Sequence, residues 1–85
     1  MLKIKVLGSG CTNCLNLEKL CREVTTENQI DAEIEKVTDL REIMSYGILS
    51  TPGLVLNGKV VSSGKLPTKA TLTHWMIDAM VQENN

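Results

Sequence analysis

Two cysteines near the amino terminus, Cys11 and Cys14, are the residues of this chain best suited to covalent chemistry. With two residues between them at the start of a helix, their sulfurs can close a disulfide across one turn. The start of a helix carries backbone N–H groups without helical partners and the positive end of the helix dipole. Both favour a thiolate, which is the nucleophile of disulfide exchange. We therefore predict that Cys11 is the attacking sulfur and Cys14 the resolving one.

The elements around the cysteines suit this chemistry. Apolar residues alternate with lysines from Leu2 to Val6, which is the period of a strand. From Cys11 to about Glu27 the apolar residues follow a helical period instead. Cys14 lies on the apolar stripe of this helix, whereas Cys11 at its start can face solvent. The pattern predicts an exposed nucleophile and a buried partner.

The middle of the chain predicts a parallel strand–helix–strand unit followed by a short helix. The second strand is marked by Ala32, Ile34 and Val37, and a helix separates it from the first strand, so a parallel pair with a right-handed crossover is expected. Asp39 is a good N-cap with Glu42 three residues later. The helix that follows has Leu40, Ile43 and Met44 on its apolar side and ends near Gly47.

The last third predicts a hairpin and a helix. Asn57-Gly58 joins the apolar runs 54–56 and 59–62, a strong signal for antiparallel strands connected by a type I′ turn. Thr68 is expected to cap the final helix, and a polar tail from Gln82 to Asn85 is expected to fray. The buried stripe of that helix is predicted to comprise Leu72, Trp75, Met76, Ala79 and Met80. Residues 1–85 thus form one α/β domain, β-α-β-α-β-β-α, with a four-stranded mixed sheet flanked by three helices.

This element order resembles the thioredoxin/glutaredoxin superfamily, and most closely its small thioredoxin-like redox-active disulfide proteins. The resemblance rests on Gly10-Cys11-Thr12-Asn13-Cys14 after the first strand and on Thr51-Pro52 before the third. It implies that Pro52 follows a cis peptide bond and shapes the surface on which a substrate docks. It also implies that Thr51 offers the substrate backbone hydrogen bonds.

The same resemblance implies the remaining site residues and the activity. Gly10, Thr12, Asn13 and Gly64 would join Thr51 and Pro52 in contacting substrate; glutaredoxins carry a glycine pair that helps to hold glutathione where this chain has Ser63-Gly64. The implied activity is thiol–disulfide exchange with protein or small-molecule disulfides. A thioredoxin-reductase-type enzyme or glutathione would reduce the oxidised protein again, and no bound cofactor is needed.

Two other functions are compatible with a C-x-x-C pair. Soft-metal carriers for copper or zinc also place this motif after their first strand, but in a βαββαβ order. A closed zinc site needs four ligands, and the cysteines and histidines of the chain are only Cys11, Cys14, Cys21 and His74. His74 is expected at the surface and Cys21, two helical turns beyond Cys14, in the core, so no metal site is predicted. The third hypothesis is that the chain is a non-catalytic thioredoxin-like interaction module.

The composition and charge of the chain limit the kinds of partner and the locations that are expected. Net charge is −1, the lysines are scattered, and the chain has one Trp, one Tyr and no Phe. A basic stripe and base-stacking aromatics are therefore missing, and nucleic acid is not an expected partner. Lys3 and Lys5 interrupt the first apolar segment, so neither a signal peptide nor a membrane span is expected there. Three unevenly spaced cysteines do not suggest a secreted disulfide framework, and a cytoplasmic location is expected.

Overall fold

Strand β1 (Leu2–Leu7) occupies the middle of the sheet in the computed structural model, which describes residues 1–83. The elements follow the predicted β-α-β-α-β-β-α order. After β1 they are α1 (Thr12–Glu27), β2 (Ala32–Val37), α2 (Leu40–Ser45), β3 (Gly53–Leu56), β4 (Lys59–Ser63) and α3 (Lys69–Glu83). In this part of the chain no helix is long and apolar enough to cross a membrane.

The sheet has the strand order β2-β1-β3-β4 and is mixed, as predicted. β1 pairs in parallel with β2 and antiparallel with β3, so Leu7 at its end lies opposite both Val37 and Gly53. β3 and β4 form the expected hairpin, with one irregularity in register between Leu54 and Val55. Asn57 and Gly58 have φ values of 50° and 83°, and positive φ at both central residues is what a type I′ turn requires.

Apolar side chains cover both faces of the sheet but to different extents. The larger core packs α1 and α3 on one face; its fully or nearly fully buried members include Leu2, Ile4, Val6, Leu17, Cys21, Val24, Leu54, Leu56, Leu72 and Met76. On the other face a smaller core of Leu7, Val37, Ile43 and Val55 lies under α2. This second core is at the end of β1 that leads to the cysteines.

The predicted apolar side of α2 was only partly correct. Ile43 is buried, but Leu40 and Met44 are 68% and 63% exposed. At about 100° per residue, positions 40 and 44 lie on one side of Ile43 on the helix surface, whereas Tyr46 lies on the other. Tyr46 packs on the sheet, and the Nζ of Lys5 in β1 lies 3.6 Å from a carboxylate oxygen of Glu42. These contacts fix the inward side of a helix of only six residues, so Leu40 and Met44 face outward.

Helix α3 begins and packs as predicted. The backbone N–H of Thr71 donates to Thr68 Oγ1 at 3.2 Å, so Thr68 is the N-cap, and His74 is exposed. Leu72 and Met76 are fully buried, Trp75 and Ala79 are partly buried beside them, and Met80 has intermediate exposure. The predicted start of the frayed tail was wrong, because the helix continues through Gln82 to Glu83. Positions 84 and 85 of that tail lie outside the described residues.

Truncating Leu72 tests the larger core. Leu72→Ala should lower the free energy of unfolding by about 2–5 kcal/mol, because a buried leucine loses its contacts and leaves a cavity. The matched control is Leu49→Ala, since Leu49 is completely exposed and the change should cost no more than about 0.5 kcal/mol. Urea unfolding followed by circular dichroism measures both. Equal losses in the two variants would contradict the core assignment.

Candidate active site

A disulfide joins Cys11 and Cys14, whose Cα atoms are 5.0 Å apart. Cys11 is the N-cap of α1, with extended backbone angles (φ −65°, ψ 161°), and its Sγ accepts a hydrogen bond from the backbone N–H of Cys14 at 3.1 Å. Cys11 is exposed, whereas Cys14 is 5% exposed on the inner side of the helix. The two sulfurs therefore occupy the different environments that the helical pattern predicted.

The electrostatic setting of Cys11 is that of an open helix terminus. The first turn of α1 holds Thr12 and Asn13, both exposed, and carries no acidic side chain. Acidic residues commonly occupy this position and offset the helix dipole. Because none does so here, the partial positive charge of the terminus and its free N–H groups are available to a sulfur anion at Cys11.

Gly8 packs directly against the side chain of Cys14, and we call it the floor of the site. The sequence analysis did not predict this role. Its backbone N–H donates to the carbonyl of Val37 at 2.9 Å, which fixes it between β1 and β2. A Cβ at this position would collide with Cys14 Sγ and lie 3.2 Å from Cys14 Cβ and 3.7 Å from Thr51 Cβ. Only glycine leaves room for the buried sulfur here. The available signal was a glycine directly after an apolar strand and before the cysteines, a common sign of close approach.

The segment before β3 brings the second part of the site to the same edge of the sheet. The Thr51–Pro52 peptide bond is cis, Pro52 is buried and Thr51 is exposed. Gly53 pairs with Leu7 at the end of β1, so the two residues before it lie beside the loop that carries the cysteines. Thr51 and Cys14 both lie on the side of Gly8 toward which a Cβ at this position would point.

Gly64 supports this segment from the end of β4. Its backbone N–H donates to the carbonyl of Pro52 at 2.8 Å. Its φ is +74°, and a Cβ there would lie 2.8 Å from Ser50 Cβ, so both backbone angle and space favour glycine. Gly64 thus contacts Ser50 and Pro52 in the segment before β3. Gly10, by contrast, has φ +91° with open space around it, so only its backbone angle favours glycine.

The third cysteine is separate from this site. Cys21 is completely buried in the larger core. Burial, reinforced by the nearby Glu18 carboxylate and only partly offset by Arg22, raises the pKa of its thiol to about 12. Cys21 is therefore protonated at neutral pH, as expected for a small buried hydrophobe. Within residues 1–83 no three His, Cys, Asp or Glu side chains come together in a way that could hold a metal ion.

Comparisons with known proteins identify the family. A sequence model of the thioredoxin domain matches residues 2–77. The thioredoxin of Methanothermobacter thermautotrophicus is 41% identical over 69 residues, which cover 81% of this chain and 90% of that protein. The thioredoxin of Methanocaldococcus jannaschii is 37% identical over 68 residues, or 80% of this chain and 78% of that protein.

Solved structures agree on the fold. The germline-specific thioredoxin Deadhead from Drosophila melanogaster superposes with a TM-score of 0.64 at 18% identity, covering 91% of this chain and 79% of that one. Oxidised thioredoxin from Plasmodium falciparum gives a TM-score of 0.61, also at 18% identity and with the same coverage. At this identity the likeness concerns the fold alone, and it matches the predicted thioredoxin-like architecture.

The archaeal relatives and the paired cysteines favour disulfide exchange over soft-metal carriage. The domain match spans nearly the whole chain, and the redox pair lies where the element order predicted it. The chain therefore belongs to the thioredoxin family and is a thiol–disulfide oxidoreductase.

Proposed function

We propose that Cys11 is the attacking sulfur and Cys14 the resolving sulfur of this oxidoreductase. The observation that carries the proposal is their difference in exposure at one helix terminus: Cys11 is exposed at the N-cap, and Cys14 is 5% exposed. Of the two sulfurs, only the exposed one can align with the S–S bond of a partner disulfide. The helix terminus also favours the anion at Cys11, while desolvation opposes ionisation of Cys14.

The proposed cycle balances in two exchange steps. The Cys11 thiolate attacks one sulfur of a partner disulfide, forming a mixed disulfide and releasing the other partner sulfur as a thiolate. The Cys14 thiolate then attacks Cys11 Sγ, so that the Cys11–Cys14 bond forms and the remaining partner sulfur leaves with its electron pair. Two protons from the protein thiols end on the partner thiols. The partner is reduced and the protein oxidised, and the reverse sequence applies when the protein acts as oxidant.

The substrate surface is proposed to surround Cys11. Thr51 is exposed beside the cysteine loop, and its backbone is proposed to pair with a substrate chain next to the substrate's cysteine. Pro52 and Gly64 hold this segment in place through the hydrogen bond between them. Gly10, Thr12 and Asn13 are exposed next to Cys11 in the chain and complete the proposed contact surface.

Protein disulfides and a reductase are the partners that the family supports, and small-molecule disulfides are proposed in addition. A thioredoxin-reductase-type enzyme and glutathione are the two proposed reductants, and turnover of the oxidised protein with each in turn separates them. Cytoplasmic action is proposed because the buried Cys21 is a free thiol and the other two cysteines form a redox pair rather than a structural framework.

Trapping tests the roles of the two cysteines. Cys14→Ser should retain substrates as stable mixed disulfides on Cys11, because the resolving sulfur is gone. Cys11→Ser should retain none, because the two remaining cysteines, Cys14 and Cys21, are both buried. Non-reducing gels of each variant mixed with oxidised insulin measure the trapped species. Equal trapping by both variants would contradict the assignment.

Alkylation of the fully reduced protein tests the three thiols together. At pH 7 Cys11 should react fastest, with a pKa below the reference of about 8.5. Cys21 should not react in the folded protein, because a thiol whose pKa is raised to about 12 carries almost no thiolate at that pH. Peptide mass spectrometry after timed alkylation gives the order, and unfolding in denaturant is the control that should expose Cys21. Faster labelling of Cys14 than of Cys11 would refute the proposal.

Gly8→Ala tests the floor under the resolving sulfur. The added methyl collides with Cys14 Sγ, so the oxidised protein should lose about 1–3 kcal/mol of unfolding free energy. Insulin reduction should fall as well, because Cys14 can no longer occupy its position. Ser9→Ala is the matched control, since Ser9 is exposed in the same loop. A Gly8→Ala protein as stable and active as the control would show that the floor is not needed.

A further inference from the structure

A groove that the redox site does not use lies between the β3–β4 hairpin and the second half of α3. Its volume is about 260 Å³, and its apolar lining consists of Leu56, Val61, Trp75 and Ala79. Pockets for drug-sized ligands typically measure about 300–1,000 Å³. The groove is slightly smaller than that range, so it suits a ligand smaller than a drug.

The helix side of the groove follows from the spacing of its residues. Trp75, Asp78, Ala79 and Gln82 stand three or four positions apart, so they share one side of α3. Trp75 and Ala79 belong to the stripe that packs on the larger core, yet both are only partly buried. Because the side chain of Ala79 is a single methyl group, space remains between helix and hairpin, and the side chain of Trp75 borders it.

The polar side chains on the two walls of the groove differ in chemistry. On the hairpin, Asn57 Oδ1 accepts from the backbone N–H of Lys3 at 2.9 Å, which leaves the amide NH₂ group as a donor. Lys59 adds an ammonium group that has no ion pair within residues 1–83. On the helix, Asp78 Oδ2 accepts from the amide of Gln82 at 3.2 Å, which leaves the second carboxylate oxygen and the Gln82 carbonyl as acceptors. The hairpin wall therefore offers donors and the helix wall acceptors.

The charges on the two walls determine which ligands suit the groove. Lys59 and Asp78 carry opposite charges, so an ion of either sign would meet one favourable and one unfavourable charge. A zwitterion can instead place its carboxylate toward the hairpin and its ammonium group toward the helix. An apolar group on the same molecule can then contact the indole of Trp75. A free amino acid carries both charges and an apolar side chain within the size that the groove admits.

We propose that this groove binds a free α-amino acid with an apolar side chain. Asn57 and Lys59 donate to the carboxylate of the ligand, and Asp78 and Gln82 accept from its ammonium group. The ligand side chain packs on Trp75. The proposal adds a binding site to the oxidoreductase and does not depend on the roles assigned to the cysteines.

Distance along β1 separates this groove from the cysteines. Asn57 is bonded to Lys3 near the start of β1, whereas the cysteine loop begins at Gly8, after its end. Five residues of strand span about 17 Å. Binding in the groove should therefore be equally strong in the oxidised and the reduced protein, and a ligand that binds only one redox state would overturn the proposal.

Fluorescence of Trp75 measures occupancy directly, because Trp75 is the only tryptophan in the chain. L-Phenylalanine is titrated into the full-length protein, with excitation at the red edge of indole absorption, where phenylalanine does not absorb. The dissociation constant should be about 1 mM or lower, as expected for a ligand of roughly a dozen non-hydrogen atoms. N-Acetyl-L-phenylalanine and L-phenylalaninamide each lack one of the two charges and should bind about three- to fivefold more weakly. Titration calorimetry gives an independent value for each.

Variants assign the binding to the two walls. Asp78→Asn and Lys59→Met should each weaken the binding of L-phenylalanine by about three- to fivefold, because each removes one of the two wall charges. The matched controls are Glu33→Gln and Lys19→Met, which make the same changes in net charge at exposed positions outside the groove and should leave binding unchanged. Ala79→Leu fills the groove and should abolish binding.

The proposal is wrong if L-phenylalanine at up to about 10 mM changes neither the fluorescence nor the heat of titration. It is also wrong if the two singly charged analogues bind as tightly as phenylalanine, or if the controls lose as much affinity as Asp78→Asn and Lys59→Met. Unchanged binding by Ala79→Leu would place the ligand elsewhere and overturn it as well. If Ala79→Leu lacks the native circular dichroism spectrum, the comparison of Asp78→Asn with Glu33→Gln decides instead.

Discussion

The site depends on how strand β1 is held. β1 is hydrogen-bonded on both edges, in parallel to β2 and antiparallel to β3, and apolar side chains cover both of its faces near Leu7. A strand restrained in all these directions delivers the following loop to one fixed point. Gly8 lies at that point, bonded to Val37 on β2 and in contact with Cys14 above it. The position of the Cys14 sulfur is thus a consequence of sheet packing rather than of the loop itself.

The antiparallel partner brings the second half of the site to the same place. β3 begins where β1 ends, with Gly53 opposite Leu7, so any residue just before β3 must lie beside the loop just after β1. Thr51 and Pro52 are about forty positions from the cysteines in sequence. Their proximity to Cys14 therefore results from the topology of the sheet alone. The hydrogen bond from Gly64 then ties the end of β4 to the same edge.

Much of this structure could be predicted because it depends on local patterns in the sequence. The position of Cys11 at the start of α1, Asp39 as an N-cap, the Asn57-Gly58 turn and the burial of Cys14 follow from spacing along a single element, where neighbours in sequence are neighbours in space. The pairing of the cysteines with Thr51-Pro52 was predicted only through resemblance to a family. No periodicity in the sequence contains it.

What could not be predicted depends on contacts between elements. Leu40 and Met44 face solvent because Tyr46 and the Lys5–Glu42 ion pair determine which side of a short helix meets the sheet. Lys36 has the sequence character of a solvated strand residue, and its ion pair with Glu18 on α1 follows from the register of β2 against β1. A parallel register between strands separated by a helix leaves no local mark in the sequence. For the same reason the contact between Gly8 and Cys14 was not predicted.

The two sulfurs need the same electrostatic field at different times. In the proposed cycle Cys11 carries the charge in the reduced protein, and each unit by which the helix terminus lowers its pKa below the ambient pH stabilises the reduced form by about 1.4 kcal/mol, or about 30 mV for a two-electron couple. A second thiolate at Cys14 would then be opposed by the first. Once Cys11 is bound in a mixed disulfide it is neutral, and that opposition disappears. The open terminus of α1, with no acidic residue in its first turn, can then act on Cys14. A fixed set of charges thus favours attack by one sulfur first and resolution by the other afterwards, without any rearrangement of the fold.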